Sequence, residues 1–279
     1  MSILKRLLRV NVFVAVVPSF VASTASQQTF AQSRPEPITM MQTMVVRERE
    51  AEARKPPFTY TSVERSDRTG GREWTERVIE VPEGKLRYLI LEDGKPLSPD
   101  RRRREDARLR SIANDPEPFI RQEHNRKGEE QHAQELLNLL PRAFLFDDCG
   151  SQQGWEQIKY RPNPSYLPQS YEERILHQMS GTILIDPHSN RLHMLDGALA
   201  KDVSFGYGLL ATLRAGSKFL IIRSAIVTGI WKTTQIDVRM DGHVVLFKTI
   251  SRRQASVHRD FKLLPSKLTI AQAVALLVG

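Results

Sequence analysis

Four side chains able to bind a metal or move a proton fall within eleven residues of one stretch, GTILIDPHSNRLHMLDGAL (Gly181–Leu199): Asp186, His188, His193 and Asp196. Two imidazoles and two carboxylates could ligate zinc, or act as a general acid and base on a substrate. A zinc centre needs three or four ligands converging at about 2 Å, with further groups orienting the imidazoles. The two histidines match neither a helical His-x-x-x-His pair nor a strand His-x-His pair. The residues between them, DPHSN, are turn chemistry: Pro187 presets φ, and Asp186 and Asn190 can bond their own backbone. The stretch therefore reads as a β-hairpin. Ile183 and Ile185 share one face, as do Leu192 and Met194; His188 lies in the turn, and His193 points away from Met194. No catalytic residue, metal ligand or cofactor is assigned, and the expected function is non-enzymatic.

Other catalytic signatures are missing. The sequence holds no Gly-x-Ser-x-Gly elbow, no phosphate-binding loop and no His-Glu-x-x-His. FGYG (Phe205–Gly208) has no following βαβ unit, so its glycines read as a bend in a strand. Glu172 and Glu173 read as surface charge, and His124, His132, His177 and His258 stand in charged or polar surroundings. Cys149 is the only cysteine; Asp147 and Asp148 beside it disfavour its thiolate, and no internal disulfide is possible.

The elements that position these residues begin after the first 31. MSILKRLLRV carries Lys5, Arg6 and Arg9, VNVFVAVV is a short apolar run, and small residues precede Ala25 and Ala31. That order describes a secretory signal peptide, so residues 1–31 are expected to be removed and the protein to be exported, soluble and without a lipid anchor. The segment holds three basic and no acidic residues, so the net charge falls from +9 to +6 on cleavage. An exported basic protein meets anionic membrane surfaces, and with no aromatic-interleaved basic motif nucleic acid is not an expected partner.

Residues 32–37 read as a linker, and 38–279 as one domain. Ile38, Met41, Met44 and Val45 recur at helical spacing before a charged tail and Pro56–Pro57. From Phe58 the period is two: FTYTSVER and REWTERVIEV flank SDRTGG, and KLRYLILEDGKPL ends at an Asp-Gly turn. A charged helical insert follows at about 97–141. Ser98 and Pro99 start a solvated helix containing Arg101–Arg104, and a second helix from about Glu117 carries Leu136, Leu137, Leu139 and Leu140. Strands then run to a last helix capped by Thr269. About ten or eleven strands in all make an α+β fold, a curved antiparallel sheet with helices over its concave face.

Large apolar side chains on these strands exceed what one small core requires. If the sheet curls, they line an apolar cavity closed by helices. The candidate ligand-binding residues are Met41, Met44, Trp155, Ile183, Ile185, Leu192, Met194, Phe205, Phe219, Ile221, Trp231 and Phe247.

A signal-like N-terminus, a leading amphipathic helix, a long meander and the GTILIDP…RLHML hairpin, with WKTTQIDVRMDG (231–242) leading into VVLFK, resemble the LolA/LolB-like lipoprotein carriers. The resemblance implies an incomplete β-barrel whose helices lid an apolar cavity for acyl chains, serving outer-membrane lipoprotein sorting without enzyme chemistry or metal. The insert has no counterpart in a minimal carrier, and the lipid-anchoring cysteine of LolB-type receptors is missing. The expected protein is a monomer that binds lipoprotein acyl chains or lipid. The alternative is an envelope sensor or structural module docking a protein partner through the same sheet.

Overall fold

The computed structural model describes residues 35–205, 211–244 and 248–279. The expectations for residues 1–31, for Tyr207 and Gly208 and for Phe247 lie outside the described residues, and for Phe205 only the backbone is described.

The chain opens with α1 (Pro37–Ala53), started by Pro37 and ended before Pro56–Pro57. Its buried stripe is Met40, Met41, Met44 and Glu48, whereas Ile38 is exposed. The stripe is thus rotated from the expected one and includes a carboxylate. Three strands follow, β1 (Phe58–Ser66), β2 (Glu73–Val81) and β3 (Gly84–Glu92), then the two-residue β4 (Lys95–Pro96). A 3-10 turn (Asp67–Thr69) joins β1 to β2. Asp93 and Gly94 both take positive φ, as a tight hairpin turn demands.

Two helices cross next, α2 (Pro99–Asn114) and α3 (Glu117–Ala143). Ser98 caps α2 by accepting the Arg101 N–H, with Pro99 at the first turn. The expectation that α2 is wholly solvated is corrected. Leu109 is fully buried, and buried Glu105 accepts the Leu89 N–H of β3 at 3.0 Å. Arg102 stays with the Tyr88 hydroxyl at 2.9 Å, and Arg101 lies over Trp74. α3 runs on through Pro141, so its leucines reach the strands without a break.

The remaining strands are β5 (Phe144–Gln152), β6 (Trp155–Pro162), β7 (Met179–Ile185), β8 (Leu192–Leu199), β9 (Val203–Phe205), β10 (Ala211–Leu213), β11 (Lys218–Val227), β12 (Ile230–Val244) and β13 (Lys248–Leu263). A short helix, α4 (Tyr171–Leu176), precedes β7, and α5 (Ile270–Val278) closes the chain behind a Thr269–Gln272 capping box. SYEERIL is therefore helical; Glu173 ties its start by accepting from Gln169 N–H and the Tyr166 hydroxyl, which hold its carboxyl below the ordinary range.

Among the described residues all strands pair antiparallel in one open sheet, ordered β4-β3-β2-β1-β13-β12-β11-β8-β7-β6-β5, with β10 beside β12 and β9 beside β10. The count of 13 exceeds the expected ten or eleven because β4, β9 and β10 are two- or three-residue pieces. The Asp241–Gly242 pair, whose residue types suit a turn, lies inside a ladder: Asp241 pairs Ser251 and Gly242 pairs Ile250. Gly242 is needed there because a Cβ would sit 2.6 Å from the Thr212 carbonyl oxygen of β10.

Two cores form on opposite faces, since neighbouring residues of a strand point opposite ways. One gathers Met41, Met44, Leu140, Phe144, Ile158, Ile183 and Ile185, so α1 and the end of α3 pack on β5–β8. The other gathers Ile79, Leu86, Leu109, Phe119, Ala273 and Leu277, so α2, the start of α3 and α5 pack on β2–β3. Val78, next to Ile79, belongs instead to a cluster with Phe58 and Tyr60. Among the described residues no helix is long and apolar enough to cross a membrane.

Candidate functional site

A cleft of about 840 Å³ lies where α3 passes the sheet face that carries Tyr60. Ligand pockets in general measure roughly 300–1,000 Å³. Along α3 the lining changes character. At the C-terminal end, Leu136, Leu137 and Leu140 face Leu192, Leu195, Phe219, Ile221, Ile236 and Phe261 from the strands. Toward the middle, Glu123, Arg126, Lys127 and Glu130 face Glu80 and Lys85 beside the β2–β3 turn. An apolar cavity was expected; the structure makes an amphipathic one.

The charged half is internally paired. Lys85 meets Glu130 at 2.5 Å, and Lys232 meets Glu80 at 2.7 Å while its ammonium sits 4.6 Å from the centre of the Phe58 ring. Glu123 accepts the Lys85 N–H at 2.8 Å, and Lys127 donates to the Pro82 carbonyl at 2.7 Å, so α3 is fastened to the β2–β3 turn. Burial holds Lys232 and Lys85 below the ordinary lysine range even though Glu80 and Glu130 pull the other way. Burial also pushes the Tyr60 hydroxyl up to about 12.

His258 is one of the histidines expected to carry no meaning, yet it lines this cleft. Its Nδ1–H donates to the Thr233 carbonyl at 3.0 Å, and its ring lies 5.2 Å from that of Tyr60. Burial, helped by Arg87 and Lys85, lowers its pKa below the usual 6.5 despite the Thr233 bond. The unfolded chain then binds more protons than the folded one between those two values, so stability increases as pH rises through that window. We expect the urea midpoint to fall as pH drops from about 7.5 to about 5.5, and His258→Gln to flatten that slope. An unchanged slope in the variant would place the dependence elsewhere. His177, unlike half-buried His258, is buried, and its Nε2–H donates to the Asn163 carbonyl at 2.8 Å.

The Asp/His stretch resolves into structural roles. Asp186 caps its turn by accepting the Ser189 N–H at 3.1 Å. Asp196 accepts the Thr182 N–H at 2.7 Å, and a Cβ on Gly181 would run into its carbonyl. His193 donates to the Arg223 carbonyl at 2.8 Å and stacks on Trp155 at 3.8 Å, 9° from parallel. Among the described residues no group of three or more His, Cys, Asp and Glu side chains is placed to hold a metal ion.

The facing of β8 differs from strict alternation. Ile183 pairs Leu195 and Leu184 pairs Met194, but Ile185 pairs Leu192, so His193 is one residue too many for the ladder. This bulge turns Leu192 and Leu195 to the face of Ile183 and Ile185 and puts Met194 opposite Leu184 on the other. The expectation that Leu192 and Met194 share a face is overturned.

Of the expected ligand-binding residues, Leu192, Phe219, Ile221 and Trp231 line the cleft. Met41, Met44, Ile183 and Ile185 are fully buried in the core behind it, and Trp155 is spent on His193 and on Trp231 at 6.2 Å. Met194 is not among the cleft-lining residues.

Sequence reading missed the ionic part. Glu48 accepts from Arg191 Nε at 2.7 Å, from Arg223 and from the Leu192 N–H at 3.0 Å, tying α1 to β8 and β11. The signal was present, because Glu48 continues the Met41–Met44 stripe by four residues. The chain matches no protein-family model, no curated protein and no solved structure.

Proposed function

We propose that the protein binds amphiphiles bearing an acyl chain, a lipid or the acyl chains of a lipoprotein, and shields them from water without chemistry upon them. The observation that carries this reading is the cleft itself, about 840 Å³, apolar at one end and ion-paired at the other. Each methylene taken from water contributes roughly 0.8 kcal/mol, so a chain of a dozen carbons binds without specific contacts. One cleft is lined by Tyr60 of β1, Ile236 of β12 and Leu195 of β8. Their convergence, with α3 over them, supports an incomplete barrel with a helical lid and a concave binding face. The N-terminal segment supports export, so the reading is of a periplasmic carrier in lipoprotein sorting, as the LolA/LolB resemblance implies. The paired charges favour a ligand with a polar head over a bare hydrocarbon.

Protein purified from its native host is expected to release lipid detectable by mass spectrometry and to take up a fluorescent fatty acid saturably. Finding neither would sink the reading, and a protein complex persisting in detergent would put a docking module in its place.

A further inference from the structure

A second cleft, of about 520 Å³, adjoins the first. It is built by the end of α1, the β7–β8 turn and the β11–β12 hairpin, and the two clefts share Glu52, Lys55, Arg223, Trp231 and Lys232. Its cations are Arg47, Arg54, Lys55, Arg191, Arg223 and Lys232. Four carboxylates, Glu48, Glu50, Glu52 and Glu80, pair with five of them. Two positive charges are left over, and exposed Arg54 has no acidic partner among the described residues. Arg223 donates to Glu48 and, at 3.4 Å, to the Trp231 carbonyl, but its Nε–H is buried with no hydrogen-bond partner. Buried donors in folded proteins are normally satisfied, so the Arg223 guanidinium, on a residue lining both clefts, keeps hydrogen-bonding capacity that its protein partners do not use. Guanidinium groups match the oxygens of phosphate and carboxylate.

We propose that this smaller cleft holds the oxyanion head, phosphate or carboxylate, of the amphiphile whose chain occupies the larger one. This rests on the acyl-binding reading and adds to it a ligand class: anionic amphiphiles in preference to neutral ones. Trp231, a lining residue of both clefts, marks the junction of head and chain.

Calorimetric titration of the whole protein with dodecyl phosphate, dodecyl maltoside and inorganic phosphate tests it. Dodecyl phosphate is expected to bind about tenfold more tightly than the maltoside, and the gap to shrink at high salt. Arg54→Glu is expected to weaken dodecyl phosphate about tenfold and to leave the maltoside unchanged. Inorganic phosphate competing with dodecyl phosphate alone would support the assignment. Equal affinity for both amphiphiles would overturn the head-group site while the acyl reading stands. Binding of neither amphiphile would overturn both, and inorganic phosphate binding in that case would reassign the cleft to the free anion.

Discussion

Replacing Glu48 by glutamine is expected to lower the unfolding free energy by about 3–5 kcal/mol, read as a fall in urea midpoint at constant slope. The carboxylate is almost fully buried and is shared by Arg191, itself buried, and Arg223. Taking it away leaves two guanidinium groups without a counter-charge in a low-dielectric site, which costs far more than an exposed pair would. The loss is a large part of the roughly 5–15 kcal/mol that domains possess. Replacing Glu48, Arg191 and Arg223 together by methionine is expected to destabilise less than the single change, because no charge then stays buried. A loss below about 1 kcal/mol in the single variant would show that the triad does not hold α1 to the sheet. If the single variant does not fold, the triple variant still decides the matter: folding of the triple alone is what the triad requires.

The second large effect concerns the cleft. Ile236 lines it from β12, half-buried between Ile221 on β11 and Ser256 on β13. Ile236→Trp is expected to occupy the room of about four methylenes, worth roughly 3 kcal/mol of binding, and so to weaken a fluorescent acyl probe about 100-fold. Val257 neighbours Ser256 on β13 and is exposed on the opposite face, so Val257→Trp should leave the affinity alone. Equal affinity in Ile236→Trp, with an unchanged circular dichroism spectrum, would mean that the chain lies elsewhere. Together with the His258 titration, this separates a binding role of the cleft from a purely structural one.

Much of the fold was legible because local chemistry agrees with it. The Asp93–Gly94 turn, the Ser98–Pro99 start, the Thr269 cap and the Asp186 turn each satisfy backbone groups within a few residues, and short-range satisfaction is written in adjacent letters. Alternation placed Ile183 and Ile185 on the core face. Alternation failed at His193, where one inserted residue shifts every later side chain of β8 to the other face. A bulge depends on the partner strand, and no single-strand pattern contains it.

By itself, then, the sequence determined an antiparallel α+β chain with a helix leading, a helical insert and a capped helix at the end. Tertiary structure alone decided that Glu48 meets Arg191 and Arg223 across more than 140 residues, that Lys232 reaches Glu80, and that α3 roofs the face carrying Tyr60 and Ile236. Period and capping act over a turn or two, whereas a buried ion pair forms wherever the fold brings opposite charges out of water together. Charged letters that read as solvent-facing along the chain therefore became the wall of the cleft once the chain had closed around it.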